Sequence, residues 1–360
     1  MALHNIDPSR IISRVAYPFL GASAGVYFLV QSAWRLSHEL GVVPSHQAPI
    51  PVISVGNISM GGAGKTPFVM FLVERLVEQG LRPCVVSRGY RGSYATEHLL
   101  VSDGTSVTPK IDAKIVGDEP FLLASNLKNK APVMVGRDRL KCIRYVHSNL
   151  KSDLVVLDDG FQHLKLKRDV DIVLVSGRED HMFPLGGLRE PLSALSRADM
   201  IIVDGNQEVT CRKMREFLSS HEHFTYQSYP VGLMRDDLCH TSNFDDLKGK
   251  DVLLVSAIAN PVRFRKTAET LGWRISGHIV YRDHHIYSSK DLTHILEIAK
   301  GVPIVFTEKD WVKLTPEFQQ RSDVFFLRIG LRVANSEKLI EELVERLGVH
   351  GSEQKTGSNN

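Results

Sequence analysis

Short apolar runs alternate with segments of helical periodicity from residue 52 onward. These runs have three or four residues, many of them β-branched, and such short apolar runs are typical of strands buried on both faces of a parallel sheet. The predicted strands are 52–55, 84–86, 133–135, 154–157, 172–175 and 200–203, and the predicted helices are 68–79, 120–127 and 139–148. This alternation predicts an α/β fold with a parallel sheet over residues 45–204, called here the first unit.

The pattern changes after residue 204 and then resumes. Residues 205–250 are more polar and irregular, with an extended stretch at 223–233, and we predict that they form a linker segment. Alternation returns in 251–347, called here the second unit, which we predict to be a smaller α/β domain. Its predicted elements are strands at 252–255, 274–281 and 303–306 and helices from 261 and over 290–299. Residues 348–360 are almost devoid of apolar side chains, so we expect a disordered tail.

Residues 1–44 carry an uncharged run between Arg14 and Arg35. The run contains no 18 consecutive apolar residues and no small-residue cleavage pattern, so we expect a retained helix rather than a spanning helix or a cleaved signal peptide. The positions that would form its apolar face are Tyr17, Leu20, Tyr27, Phe28, Val30 and Trp34, with Arg10 and Arg14 outside them. The pattern fits a helix lying in a membrane interface, and a buried first helix is the alternative.

Composition narrows the function classes. The 360 residues carry a net charge of +3 and include 43% hydrophobic and 24% charged residues, an ordinary globular composition. The small net charge argues against nucleic-acid binding. The four cysteines (Cys84, Cys142, Cys211 and Cys239) form no CxxC pair, which argues against a disulfide framework and a zinc site.

The strongest chemical signal is the sequence Gly61-Gly62-Ala63-Gly64-Lys65-Thr66, between a predicted strand and a predicted helix. This is the context of a phosphate-binding loop: backbone N–H groups and the helix N-terminus face the phosphates, the lysine reaches them and the threonine hydroxyl can ligate Mg²⁺. Ser59 stands where the usual pattern has a glycine, and Met60 stands where one variant has an extra lysine. A glycine-rich turn without a ligand is the alternative.

Asp158 and Asp159 follow the predicted strand 154–157, and Gly160 comes directly after them. Two adjacent carboxylates at a strand end favour a cation between or beside them, because their mutual repulsion is costly. Next to a phosphate-binding loop they indicate metal binding, whereas alone they would indicate only a polar turn.

Three weaker motifs complete the set. Residues 117–120 (GDEP) place carboxylates at a helix start, where simple capping is the alternative. Residues 186–191 (GGLREP) place an arginine and a glutamate in a glycine-rich loop, where a surface turn is the alternative. Residues 283–285 (DHH) offer a base or a metal ligand, although the chain has no second cluster with zinc spacing.

Taken together and in order, these motifs resemble the tetraacyldisaccharide 4′-kinase family, the lipid A 4′-kinases of Gram-negative bacteria. The similarity runs from about residue 10 to residue 345 and rests on the motifs 56–67 (GNISMGGAGKTP), 87–90 (SRGY), 117–120, 158–163 (DDGFQH), 189–191, 283–285 and 307–310 (TEKD). It implies a P-loop NTPase-like parallel-sheet domain, a smaller C-terminal α/β domain and an N-terminal membrane-associated helix. Ser59 agrees with the pattern of this family.

The resemblance also implies an activity: transfer of the ATP γ-phosphoryl group to the 4′-hydroxyl of tetraacyldisaccharide 1-phosphate, giving lipid IVA. It implies Mg²⁺ as a cofactor, the cytoplasmic face of the bacterial inner membrane as the location, and no obligate protein partner. The residues expected at the nucleotide are Ser59, Met60, Gly61, Gly62, Ala63, Gly64, Lys65 and Thr66, and those expected near the metal are Thr66, Asp158, Asp159 and Glu190.

The same resemblance places catalytic roles on individual residues. Asp118 is the expected base for the sugar hydroxyl, since a hydroxyl needs a carboxylate within hydrogen-bond reach to accept its proton. His284 from the second unit is expected to orient that carboxylate, with His285 as the alternative. Gln162 and His163 are expected beside the reacting groups.

Two other function classes compete. A membrane-associated P-loop ATPase or GTPase switch would also use the loop, but it has no need for an Asp-His pair from a second unit. A pure lipid-binding module leaves Lys65 and Thr66 without a role.

Overall fold

The computed structural model describes residues 8–177, 181–235 and 240–349. The strands are β1 (Val52–Asn57), β2 (Pro83–Ser87), β3 (His98–Ser102), β4 (Val133–Gly136), β5 (Leu154–Asp158), β6 (Val170–Val175), β7 (Met200–Asp204), β8 (Phe224–Arg235), β9 (His240–Ser242), β10 (Asp251–Ser256), β11 (Arg274–Val280), β12 (Ile304–Thr307) and β13 (Val324–Val333). The helices are α1 (Pro8–Glu39), α2 (Lys65–Glu78), α3 (Ala113–Val116), α4 (Asp118–Asn126), α5 (Arg139–Asn149), α6 (Arg212–Ser220), α7 (Pro261–Thr270), α8 (Ser289–Ala299), α9 (Glu308–Trp311), α10 (Pro316–Gln319) and α11 (Ser336–Leu347), with 3₁₀ turns at Leu192–Arg197 and Phe244–Asp246.

The strands form one mixed sheet in the order β11-β10-β12-β13-β8-β7-β6-β1-β5-β2-β4-β3, with β9 paired to β8. Among the described strands, antiparallel pairing is limited to β3 with β4, β8 with β13, and β8 with β9. The α/β class and the parallel-dominated sheet predicted from the alternating pattern are therefore confirmed.

The central strands are buried along their whole length because helices cover both faces. On one face α2 buries Phe68, Leu72 and Leu76 against the sheet. On the other face α5 buries Cys142 and Val146. Each fully buried side chain of this size contributes about 1.5–3 kcal/mol, so these helices fix the carboxyl edge of the sheet firmly in place.

The two predicted units are not separate sheets. Strand β8 comes from the segment that we predicted to be a linker, and it lies between β7 of the first unit and β13 of the second. Helix α11 lies in the residue range that we assigned to the second unit, but it packs Leu339, Ile340 and Leu343 into the core that also contains α2. The extended stretch predicted at 223–233 corresponds to β8, so residues 224–235 of the predicted linker segment lie in the sheet.

Helix α1 spans Pro8–Glu39. No helix in the described part of the chain combines the length and the apolar character needed to cross a membrane. The side chains of Arg10, Arg14, Tyr17 and Leu20 lie outside the described residues, as does most of the predicted disordered tail.

Candidate active site

The glycine-rich loop runs from the end of β1 to the start of α2, as the sequence predicts. Gly61 and Gly64 have φ values of 96° and 77°, a backbone region that favours glycine. The hydroxyl of the buried Tyr226 donates to the carbonyl of Ala63 at 3.0 Å, and a Cβ on Gly64 would lie 2.7 Å from that hydroxyl oxygen. The loop is therefore shaped both by its own glycines and by a tyrosine from β8.

A second segment, residues 187–189, pairs with the start of this loop. The Met60 N–H donates to the Gly187 carbonyl at 2.6 Å, and the Arg189 N–H donates to the Ile58 carbonyl at 2.7 Å. Ser59 is buried, whereas the Met60 side chain is exposed. The weak GGLREP motif thus lies directly against the loop.

Lys65, the first residue of α2, points back over the loop. Its Nζ donates to Asn57 Oδ1 at 2.9 Å and lies 3.3 Å from Asp159 Oδ1. Arg189 Nη1 donates to both oxygens of Asp159 at 3.1 and 3.0 Å. Burial works to raise the pKa of Asp159, but the charges of Lys65 and Arg189 outweigh it and hold that pKa below its usual range. The half-buried Thr66 follows at the start of α2.

Asp158 ends β5 and is 1% exposed. Ser87 Oγ donates to its Oδ2 at 3.0 Å, while its buried Oδ1 has no hydrogen-bond partner within the described residues. Burial, together with the negative charges of Glu119 and Asp159, raises the pKa of Asp158 to about 7. A buried carboxylate oxygen with no donor fits a hard cation such as Mg²⁺.

Two other predicted metal residues, Asp159 and Glu190, are already engaged by protein groups. Glu190 is buried, and its two oxygens accept bonds from Arg197 at 2.6 Å and from Gln162 Nε2 at 3.0 Å. Gln162 also donates to the carbonyl of Asn57 at 2.8 Å. No group of three or more His, Cys, Asp or Glu side chains has a metal-binding arrangement in the part of the chain that the structure describes.

His163 is half-buried near this network. Burial lowers the pKa of His163 to about 4, with further lowering by the nearby charges of Arg139 and Arg168. The ring is therefore neutral near pH 7, so one ring nitrogen can donate a hydrogen bond and the other can accept one.

Asp118 begins α4 and is 7% exposed. His284, from the loop after β11, places its Nδ1 at 2.9 and 2.8 Å from the two Asp118 oxygens. Burial works to raise the pKa of Asp118, but the His284 hydrogen bond and the charge of Lys309 outweigh it, so the pKa lies below its ordinary value. The structure therefore brings together two residues that the resemblance pairs.

His285 lies in a different environment. Its Nε2 is 3.1 Å from Asp291 Oδ2, and its ring stacks on Tyr281 at a centroid distance of 4.5 Å. Of the two neighbouring histidines, His284 is the one in contact with Asp118.

Asp118 and His284 lie at the same carboxyl edge of the sheet as the glycine-rich loop. Helix α4 begins at this edge, close to the backbone of Tyr90, which lies just beyond β2. Glu119 connects this pair and the loop electrostatically, because its charge acts on Asp158. A cavity of about 590 Å³ opens beside Asp118 and His284 between α4 and the α9–α10 region, and a smaller one of about 300 Å³ lies over the glycine-rich loop. Lys309 of the TEKD motif also lies here, with its Nζ 3.0 Å from Glu119 Oε1, and the sequence pattern alone predicts no role for it.

A parallel-dominated sheet with a glycine-lysine-threonine loop and carboxylates at its carboxyl edge is typical of α/β kinases. The family model described as LpxK, tetraacyldisaccharide-1-P 4′-kinase, matches residues 16–348. The chain therefore belongs to the tetraacyldisaccharide-1-P 4′-kinase family, and the resemblance predicted from its motifs is confirmed.

Individual relatives agree with this assignment. The chain is 33% identical to the tetraacyldisaccharide 4′-kinase of Halothermothrix orenii, with 86% of this chain and 85% of the relative covered. It is 37% identical to the enzyme of the same name from Syntrophus aciditrophicus, with 88% and 92% covered. Among solved structures it is similar to the "apo" form of LpxK from Aquifex aeolicus in complex with ATP, with a TM-score of 0.74, 30% identity, and 92% and 98% of the two chains covered.

Proposed function

We propose that the chain transfers the γ-phosphoryl group of ATP to the 4′-hydroxyl of a tetraacylated glucosamine disaccharide 1-phosphate, giving lipid IVA. The relatives' names support this acceptor, and the Aquifex aeolicus structure, a complex with ATP, supports the donor. The observation that carries the proposal is the buried Asp118 carboxylate, which is bonded to His284 and followed by Glu119, whose charge acts on Asp158 beside the loop. Membership in this family disfavours the ATPase or GTPase switch.

The loop from Ser59 to Thr66 would bind the nucleotide phosphates. Its glycines leave backbone N–H groups accessible, and the N-terminus of the 14-residue helix α2 adds favourable partial charge. Lys65 already lies over the loop through its contacts with Asn57 and Asp159, so little side-chain ordering is needed for it to reach a phosphate.

Mg²⁺ would be held by Asp158 and by the hydroxyl of Thr66. The Oδ1 of Asp158 is buried without a donor among the described residues, which supports this assignment. When bound, Mg²⁺ supplies charge neutralisation on the phosphate oxygens. Metal contact by Asp159 and Glu190 stays a prediction, since their oxygens accept bonds from Arg189, Arg197 and Gln162.

Asp118 would accept the proton of the 4′-hydroxyl as the new oxygen–phosphorus bond forms and ADP leaves. Its lowered pKa keeps it ionised at neutral pH, and His284 fixes the direction of its lone pairs. Gln162 and His163 would lie beside the reacting groups, and Gln162 links the end of β1 to Glu190.

The location would be the cytoplasmic face of the inner membrane, with α1 lying in the interface. Phe28, Leu29 and Trp34 on α1 are exposed, and Lys165 lies 5.9 Å above the Trp34 ring. Tyr27 is less exposed, because its ring meets Phe183 at 5.8 Å. Apolar side chains flanked by cations favour an anionic membrane surface.

Mass analysis of the lipid product tests this proposal. Disaccharide 1-phosphate incubated with the protein, ATP and Mg²⁺ should gain the mass of one phosphate, with one ADP formed per product. Release of inorganic phosphate at the same rate with and without the lipid, and no phosphorylated lipid, would instead identify a nucleotide switch.

A further inference from the structure

The glycine-rich loop is held at both ends by groups from other segments. At its start, backbone hydrogen bonds join it to residues 187–189. At its end, the hydroxyl of Tyr226 donates to the Ala63 carbonyl at 3.0 Å, a contact between residues 163 positions apart in the sequence. This second contact lies directly before Gly64, the N-cap of α2, so it acts on the part of the loop where phosphates are bound in such motifs.

Tyr226 lies on the strand that joins the two units. It is 1% exposed and pairs with Asp204 of β7 on one side and with Val333 of β13 on the other. Its carbonyl also accepts a bond from the Gly205 N–H at 2.7 Å. A side chain on a strand that is paired on both sides is held precisely, so the Tyr226 hydroxyl is a fixed point for the loop.

The bond to Tyr226 sets the direction of the peptide group between Ala63 and Gly64. This peptide is trans, and in a trans peptide the C=O and the N–H point in opposite directions. Because the Ala63 carbonyl points to Tyr226, the Gly64 N–H points away from the buried ring. Gly64 also has a φ of 77°, and a Cβ at this position would lie 2.7 Å from the Tyr226 hydroxyl oxygen.

The Tyr226 hydroxyl keeps its proton at neutral pH and well above it. Burial raises the pKa of Tyr226 above its ordinary value, and the negative charge of Asp204 raises it further. Arg263, whose Nη1 donates to Asp204 at 2.7 Å, works in the opposite direction without outweighing them. A neutral phenol is therefore available as the donor to the Ala63 carbonyl.

We propose that Tyr226 is a positioning residue of the nucleotide site, whose hydroxyl holds the Ala63–Gly64 peptide so that the Gly64 N–H faces the phosphates of the bound nucleotide. The inference rests on the proposed function, in which this loop binds ATP. Tyr226 acts through the backbone of Gly64 and does not touch a phosphate itself. Backbone N–H groups cradle the phosphates in such loops, so the direction of one peptide affects nucleotide affinity.

Tyr226→Phe removes the hydroxyl and keeps the ring, so the packing of the core is retained. Without its donor the Ala63 carbonyl can turn, and the Gly64 N–H turns with it. A contact made equally in the bound nucleotide and in the transition state changes KM and leaves kcat in place. We expect the Kd for Mg·ADP and the KM for ATP to rise about 5- to 30-fold, with kcat and the KM for the lipid within about 2-fold of wild type.

Isothermal titration with Mg·ADP and steady-state phosphorylation of disaccharide 1-phosphate measure these constants. Tyr229→Phe is the matched control, because Tyr229 lies on the same strand but is 40% exposed, with its ring against Arg332, and it should bind Mg·ADP like wild type. A Tyr226→Phe protein that binds Mg·ADP as tightly as wild type would overturn the proposal. A fall in kcat with an unchanged KM for ATP, or equal rises of both KM values, would also overturn it and indicate a general structural role.

A second measurement does not depend on the folding of a Tyr226 variant. Labelling with ¹³C-alanine and ¹⁵N-glycine selects the two Ala–Gly pairs of the sequence, 24–25 and 63–64, and Ala24→Ser removes the first from the spectrum. The Gly64 amide proton should shift downfield when Mg·ADP is added, because a bond to an ionised phosphate oxygen is shorter and stronger than one to a neutral acceptor. A Gly64 amide that Mg·ADP leaves unchanged would overturn the proposal.

The two proposals fail in different ways. Wild type that binds Mg·ADP but forms no lipid product would count against the proposed function and leave the role of Tyr226 in place. Lipid product from wild type, together with unchanged nucleotide binding by Tyr226→Phe, would count against Tyr226 alone.

Discussion

Asp159 and His284 both adopt left-handed backbone conformations, with φ values of 57° and 63°. Such a conformation costs a non-glycine residue about 1–2 kcal/mol, so it persists only where the surrounding contacts impose it. In Asp159 the backbone turn directs the carboxylate to Lys65 and Arg189, and in His284 it directs the ring to Asp118. Both strained residues therefore hold the charged groups of the site in place.

Lys65→Ala tests the loop at the scale of one residue. We expect the rate of phosphoryl transfer to fall by at least about 10²- to 10³-fold, because a preorganised positive charge at the phosphates is removed. Lys65 lies beside the ligand site and not in the apolar core, so the thermal unfolding midpoint should change little. Near-normal turnover by a folded Lys65→Ala protein would refute the assignment of the loop.

Sequence motifs predicted the candidate site residues, but they did not reveal which partners those residues have. The DD motif predicts carboxylates at a strand end, yet only the fold shows that Asp159 is bonded to Lys65 and Arg189 while Asp158 Oδ1 has no partner in the described residues. Lys309 was overlooked for the same reason, since the three carboxylates that lie near its Nζ are far away in sequence or come from another loop.

At the scale of elements, the apolar pattern predicted those segments whose own residues carry a continuous apolar run or a helical apolar face. The structure has strands β5 and β6 close to the predicted strands 154–157 and 172–175, and helix α5 close to the predicted helix 139–148. These elements were predictable because the residues that each one buries form a local apolar pattern in the sequence. Strand β13 and helix α11 were not predicted. Strand β13 is apolar at one end and carries exposed or half-buried positions at the other, so it gives no uniform signal.

The prediction at the scale of elements concerns the association of helix α1 with the membrane. Phe28 and Trp34 are 40% and 42% exposed, and we expect Phe28→Glu combined with Trp34→Glu to move the protein from the membrane pellet to the supernatant and to raise the KM for lipid more than for ATP. Replacing two aromatic side chains by charged ones removes the apolar contribution to membrane binding. Vesicle sedimentation and steady-state kinetics measure both effects.

A matched control places glutamate at Val262 and Ile298, which are also exposed but lie on α7 and α8. This control should sediment like wild type. If the α1 variant still pellets fully and resists carbonate extraction, the interfacial assignment fails, and if it is insoluble or unfolded, residues 17–34 belong to the core.

At the scale of the whole molecule, the two units are joined by β8, which pairs with β7 on one side and β13 on the other. Arg263 of α7 adds a link across this junction, with Nη1 bonded at 2.7 Å to Asp204, whose side chain is fully buried at the end of β7. Such connections between distant segments leave no local pattern, which explains why the sequence predicted two domains and the structure shows one sheet.

Arg263→Ala should lower the free energy of unfolding by about 2–4 kcal/mol, because it leaves the buried Asp204 carboxylate without its cation. Arg265→Ala is the control from the same helix: it removes an exposed pair with Glu269 and should cost less than about 0.5 kcal/mol. Chemical denaturation measures both values. Equal stability of the two variants would show that the Arg263 link does not hold the units together.

The proposed role of Asp118, to remove the proton of the lipid's hydroxyl, can be measured by the single-turnover rate of Asp118→Asn with ATP, Mg²⁺ and disaccharide 1-phosphate. Asparagine has nearly the shape of aspartate and keeps an oxygen that can accept the bond from the Glu119 N–H, but it cannot accept the proton, so the fold should be retained. We expect wild type to add one phosphate to the lipid and Asp118→Asn to do so about 10²- to 10⁴-fold more slowly, with a smaller change in the KM for ATP. A fully active Asp118→Asn protein would contradict the proposed role.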